Sequence, residues 1–196
     1  VPAEGTSSLW NLLATGKWQP YGAAPDAAIQ NFIMMSFHSG GAGARPDQDG
    51  LNATAFPSGV RNMPVEINEL VSPLVFWRKE FRADSGGAGT HRGGLGQVIE
   101  LENRQGSDFA ISATYERVTH PARGRHGGAT GATGHLSLDD GTPVKAKGNT
   151  VIPGNRRLII SFPGGGGYGP ATERDPAAIE RDEHLGFTTG PPRASV

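Results

Sequence analysis

Residues 38–66 read HSGGAGARPDQDGLNATAFPSGVRNMPVE and lie between two apolar runs. The stretch carries glycines, a Pro-Asp pair, two arginines, a histidine and three acidic residues. It has neither the 3.6-residue period of a helix nor the alternation of a strand. Ordered connections of this length inside a compact domain are uncommon and usually functional. The loop is therefore the first place to look for a site, and it also constrains the fold. The same punctuation recurs throughout the chain, which has 30 Gly and 15 Pro in 196 residues, against a usual Gly share of about 7%. That density excludes a helix bundle and predicts short strands joined by ordered loops.

The strand candidates are Asn31 to Phe37, Val65 to Ile67, Leu74 to Arg82, Gln97 to Asn103, Phe109 to Glu116, His135 to Leu138, Pro143 to Ala146 and Arg157 to Phe162. Turn signals such as RQGSD, DDGT and PGN separate them. Strands this short and frequent predict a mainly β fold with irregular Gly-rich loops, an antiparallel sandwich or barrel-like sheet. Only the C-terminal part reads as helix: Asp175 caps it, Pro176 fits its first turn and Gly186 ends it. The tail TTGPPRASV is expected to fray. We divide the chain into an N-terminal segment (1–82), a β-rich domain (83–170) and a short helix with tail (171–196). Residues 1–31 show no sustained period. Trp10, Leu12, Leu13, Trp18 and Tyr21 either pack within the chain or meet a partner.

A formal net charge of −1 argues against nucleic acid or an anionic membrane as partner. With no cysteine, disulfides and thiolate metal sites are excluded. No apolar run approaches the roughly 18 residues of a membrane span, and no signal segment opens the sequence, so a cytoplasmic location is expected. The first residues, from Val1, read like mid-protein sequence and suggest a trimmed fragment.

Each chemical motif has a bland counterpart. Gly164-Gly-Gly-Gly-Tyr-Gly169 matches a dinucleotide fingerprint in letters, but Pro163 and Pro170 flank it and no helix starts at its third glycine. It is better read as a tight turn allowing close backbone approach, with an anion-binding nest as the alternative. His91 and Arg92, set among glycines in residues 85–96, would suit an anion, or form polar tips of a hairpin. His38, Asp47, Asp49 and Glu66 are metal-ligand types without a recognised spacing, and we expect no metal on this chain alone. Ser39 and Ser58 lie in no nucleophile elbow. Asn52-Ala-Thr54 is a bare glycosylation sequon.

Three blocks in register, SGGAGARPDQDGLNATAFPSGVRNMPVEINE, RADSGGAGTHRGGLGQVIE and FPGGGGYGPATERDPAAIERD, resemble the carboxy-terminal part of the B-type subunits of the N-methylhydantoinase and 5-oxoprolinase (hydantoinase B) family, which also includes acetone and acetophenone carboxylase subunits. The ending HLGFTTGPPRASV differs from the usual family tail. The resemblance implies an ATP-dependent cyclic-amide hydrolase, α+β overall when partnered. An A-type subunit would hold ATP with Mg, and the remaining N-terminal part of the B-type polypeptide, which is absent here, would carry any divalent metal. On that reading Arg45, Arg61 and Arg92 stabilise anionic charge, with His91 beside them at a substrate or phosphate. Asp49, Glu66 and His38 are the candidate bases. A ketone carboxylase subunit and a non-catalytic assembly domain are the alternatives.

Overall fold

The computed structural model describes residues 1–6, 10–54 and 63–190. Arg61 and Ser58, and the last six residues of the expected frayed tail, lie outside them. Two antiparallel four-stranded sheets build the molecule. The first runs in the order β2 (Gln30–His38), β1 (Trp10–Trp18), β5 (Phe109–Thr114), β7 (Lys147–Ile152). The second runs β3 (Leu74–Phe81), β4 (Gln97–Asn103), β8 (Leu158–Ser161), β6 (His135–Leu138). Both sheets are open, so the expected antiparallel sandwich is present and a closed barrel is not. Each sheet takes strands from both sides of residue 82.

Period-two alternation places the core. Leu12 and Ala14 of β1, Phe32 and Met34 of β2 and Ile111 of β5 turn inward to join Ile99, Leu101, Leu136, Leu158 and Ile160 of the other sheet. Trp10 stacks on Tyr115 at 4.4 Å with an interplanar angle of 8° and meets Phe162 at 4.8 Å. Fully burying aliphatic side chains of this size contributes about 1.5–3 kcal/mol each. Trp10 and Leu12 thus pack within this chain, whereas Tyr21 stays 44% exposed.

Three strand assignments change. β1 is an added strand: its outward positions include Leu13, which blurs the alternation. Val65 to Ile67 begins a helix, α1 (Val65–Val71), instead of a strand. Its buried position is the polar Asn68, whose carbonyl accepts from the buried Ser72 hydroxyl at 2.8 Å. Ile67, Leu70 and Val71 face out, so the helix has no apolar inward stripe to read. Pro143 to Ala146 forms only a bridge from Pro143 to Ser137. The strand is the more polar β7 that follows, all six of whose residues pair with β5.

Between these sheets and the C-terminal helix α2 (Pro176–His184) lies a second type of structure. Residues near 3–6, 41–44, 85–96, 122–132 and 163–169 run without strand assignment, yet hydrogen bond densely through their backbones. The amides of Gly164 and Gly167 donate to Ala132 and Ala129 of one neighbouring segment. Between them Gly165 donates to Gly94 and Gly166 to Glu4, on two others. The same spacing recurs where Ala3 and Thr6 donate to Ala44 and Gly41, and where Gly41 and Ala44 donate to Pro163 and Gly166. A return to the same neighbour every three residues is the periodicity of polyproline II backbone, whose amides point outward. Segments packed this closely leave no room for side chains. A Cβ on Gly41 would strike the carbonyl of Gly94, and one on Gly165 that of Ala42. Glycine abundance is thereby explained as interior packing. No helix among the described residues is long and apolar enough to cross a membrane.

Candidate functional site

Residues 41–50 run into this glycine lattice and deliver Asp49 to a junction with residues 90–92 and the α2 region. Asp49 Oδ1 accepts from the Arg92 amide at 2.7 Å and from Arg174 Nη1 at 2.8 Å. Its Oδ2 accepts from Arg174 Nη2 at 2.9 Å and Arg181 Nη2 at 3.3 Å. Arg174 reaches on to Thr90 O (3.1 Å) and to Asp182 Oδ2 (2.6 Å). Arg92 completes the ring, donating from Nε to Asp182 Oδ2 at 3.0 Å and from Nη1 to Gly93 O at 2.6 Å, while its guanidinium lies 5.4 Å from the Phe187 ring centre. A cavity of about 390 Å³ adjoins the cluster, lined in part by Asp84, Thr130, Arg92, Arg174 and Asp182.

Partial burial acts to raise the Asp49 pKa. The Arg174 and Arg92 hydrogen bonds and charges outweigh it, so the carboxyl sits below its ordinary value. The paired Arg174 is raised, chiefly by the Asp49 hydrogen bond. A carboxylate that accepts four donors from arginine side chains and backbone holds charge well and accepts a further proton poorly. Here Asp49 fastens α2 to the lattice.

Three of the residues expected from the sequence come together: Asp49, Arg92 and His91, whose Nδ1 stands 3.9 Å from Asp49 Oδ1. The other described ones do not join them. Arg45 is exposed and hydrogen bonded to Gln48, at the rim of a separate cavity of about 360 Å³. Glu66 is exposed in the first turn of α1. His38 is 1% exposed with neither ring nitrogen hydrogen bonded, its ring 5.7 Å from Phe162. Burial, helped by the Lys79 charge, lowers its pKa from 6.5 to about 3, so it is neutral. Arg174 and Asp182 were not anticipated. The one signal in the sequence was an acid at the inward position of α2, where an apolar residue is usual.

The glycine fingerprint is also accounted for. The amides of all six residues from Gly164 to Gly169 donate to protein carbonyls, those of Ala132, Gly94, Glu4, Ala129, His91 and Arg125. The run has no amide left for a phosphate. Asn52 Oδ1 accepts from the Leu95 amide at 2.9 Å, which gives the sequon asparagine a structural task. Among the described residues, no group of three or more His, Asp or Glu side chains could hold a metal.

A family model described as Hydantoinase B/oxoprolinase matches residues 1–171. 5-Oxoprolinase 1 of Arabidopsis thaliana is 36% identical over 135 residues, which are 66% of this chain and 10% of that protein. The B-type component of a putative D-/L-hydantoinase from Pseudomonas sp. (strain NS671) is 29% identical over 166 residues, 81% of this chain and 28% of the relative. The crystal structure of the ATP-dependent caprolactamase from Pseudomonas jessenii superposes with a TM-score of 0.76 at 26% identity, over 96% of this chain and 34% of that one. The chain thus spans about a third or less of these relatives' length.

Proposed function

Because the chain belongs to the hydantoinase B/oxoprolinase family, we propose that it supplies one wall of a composite site in an ATP-dependent cyclic-amide hydrolase. It acts with an A-type ATP-binding subunit and with the portion of a B-type polypeptide that it does not span. The observation that carries this reading is the superposition of 96% of the chain on part of an ATP-dependent caprolactamase.

The chemistry asks for such a division of labour. An amide resists water because its nitrogen donates into the carbonyl. Transfer of the γ-phosphoryl group from ATP to the amide oxygen makes the carbon electrophilic; water adds to it, the ring C–N bond breaks as the nitrogen takes up a proton, and a second water releases phosphate from the resulting acyl phosphate. ATP and its Mg belong to the A-type partner on this reading, since the glycine run offers no free amide. This chain contributes polar donors: Arg45 is exposed at the rim of its own cavity, and His91 stands 3.9 Å from Asp49. On this reading Glu66, exposed on α1, faces a partner, and the Arg92 backbone amide helps hold Asp49.

The test is to co-produce the chain with an A-type subunit and the complementary B-type portion, then follow ring opening of 5-oxoproline, hydantoin or caprolactam. Ring opening that requires ATP, and falls at least tenfold in Arg45→Ala with the assembly intact, is expected. Ring opening without ATP overturns the mechanism. Unchanged turnover in the Arg45 variant removes that residue from the site, and bicarbonate-dependent loss of a ketone would assign the carboxylase activity instead.

A further inference from the structure

The two sheets differ on their outer faces. Glu100 and Glu102 of β4 hold Arg157 at 2.9 and 3.0 Å, and Arg157 lies 4.7 Å from the Trp77 ring centre. Charge thus covers much of that face, although Trp77 stays 56% exposed. On the first sheet, register sets Ile33 beside Thr15, Thr15 beside Ala110 and Ala110 beside Val151. The next row is Met35, Leu13, Ser112 and Asn149. Neither row contains an ionisable side chain, and Ile33, Val151 and Met35 are 72, 62 and 49% exposed. A groove of about 1020 Å³ crosses the end of this face nearest Trp18 and Ile29.

β2 is also one of the sheet's two edge strands, β7 with its Lys147 being the other. Its nine residues, QNFIMMSFH, include no Asp, Glu, Lys, Arg or Pro, and its register with β1 is continuous, without a bulge. Among the described residues, no hydrogen bond reaches its backbone from outside the β1 ladder. Sheet edges are normally protected by charge, proline, bulges or shortness, because an open apolar edge recruits another strand. This edge lacks all four, and α1, whose C-cap Ser72 hydroxyl lies 3.7 Å from the Met34 sulfur, makes no hydrogen bond to its backbone; a strand is what such an edge recruits.

We propose that the β2 edge and the outer face beside it seat the portion of a B-type polypeptide that this chain does not span, which adds an apolar, uncharged strand to β2. This rests on the composite-site reading above. The length argument selects the occupant: this fold makes up 34% of the caprolactamase chain and 28% of the hydantoinase component, so a larger stretch of the same kind of polypeptide must find a surface on it. Strand addition gives affinity through backbone hydrogen bonds, and the alternate outward residues Ile33, Met35 and Phe37 give selectivity.

The experiment co-produces the chain with the complementary portion of the beta chain of the Pseudomonas jessenii caprolactamase and compares hydrogen exchange of β2 in the complex and in the chain alone. A stoichiometric complex with β2 amides at least tenfold more protected is expected. Ile33→Glu/Met35→Glu should weaken it at least tenfold, and Trp77→Glu on the other face should not. A complex that leaves β2 exchange unchanged overturns the proposal even if the double variant fails to fold. So does the absence of any complex, or β2 protection produced by a second copy of this chain, seen by native mass spectrometry. Ring opening is followed in parallel. Protected β2 without ATP-dependent turnover would sink the functional reading alone, and full turnover by a folded double variant would sink the docking alone.

Discussion

Asp182 Oδ2 accepts from Arg92 Nε at 3.0 Å, with the two side chains only 2% and 7% exposed. This contact ties α2 to the glycine lattice, because the buried position of the helix is an acid and Ile179 and Leu185 face outward. Ions so far from water are stable only in mutual company. Asp182→Ala would leave Arg92 buried without its carboxylate and Arg174 short of one partner. The expected loss is about 3–5 kcal/mol, read by urea denaturation, with α2 amides exchanging faster than those of β4. Equal exchange in helix and strand would mean that α2 is held by something else.

Much of the architecture was legible because its physical signal is local. β5 alternates throughout and β4 does so from Ile99 onward, and Asp175 with Pro176 announces α2, where Asp175 Oδ1 accepts from the Ala177 amide at 3.0 Å. Two of the misreadings share a cause, inversion of the usual polarity: α1 buries Asn68 and exposes Leu70, and β1 exposes part of Leu13. The third, β7, is a largely exposed polar strand that no apolar period marks. The site was half legible for a related reason. Asp49, His91 and Arg92 sit in conspicuous loops, whereas Arg174 reaches them across more than eighty residues of sequence, and no local pattern encodes that pairing. The glycine run was correctly separated from a nucleotide motif by its flanking prolines. Its three-residue exchange of hydrogen bonds involves partners scattered along the whole chain, which composition cannot reveal.

The lattice makes the glycines unequal. Gly165→Ala would drive a methyl group into the Ala42 carbonyl, and since both neighbours are backbone in a crossed set of hydrogen bonds, neither can yield alone. A cost of about 3 kcal/mol or more is expected. Gly106 has φ +68° with open space around its Cα, so Gly106→Ala carries only the left-handed backbone penalty of about 1–2 kcal/mol. Chemical denaturation of the two variants side by side checks the ranking. A reversed order would remove close packing as the reason for the glycines.

Glu4 fastens the first segment. Its carboxylate accepts from Arg123 Nε at 2.8 Å, the Arg123 amide at 3.1 Å and Arg117 Nη1 at 3.2 Å. The Arg123 hydrogen bonds lower its pKa from 4.5 to about 2. The stabilisation is therefore complete above pH 4.5 and is lost as pH falls toward 2. Arg123 is largely exposed, so the effect is a fraction of a kcal/mol to about 1 kcal/mol. Glu4→Gln should melt below the wild type at neutral pH and converge with it near pH 2. A constant offset at every pH would exclude the carboxylate charge as its source.

His38 titrates in the opposite sense from a histidine that gains a partner. Its pKa is 6.5 when unfolded and about 3 when folded, because burial disfavours the imidazolium and Lys79 adds to the penalty. Between those values the unfolded chain binds a proton that the folded chain refuses. Stability is accordingly flat above pH 6.5 and declines on acidification until about pH 3. At about pH 5 the loss amounts to about 2 kcal/mol, from the 1.36 kcal/mol carried by each pKa unit. The ring nitrogens have no hydrogen-bond partner, so an apolar ring of similar shape leaves no acceptor or donor stranded. His38→Phe should match the wild type within about 1 kcal/mol at pH 7 and be more stable at pH 5, measured as denaturant midpoints across the pH range. An unchanged acid slope in His38→Phe would assign the proton uptake to another group.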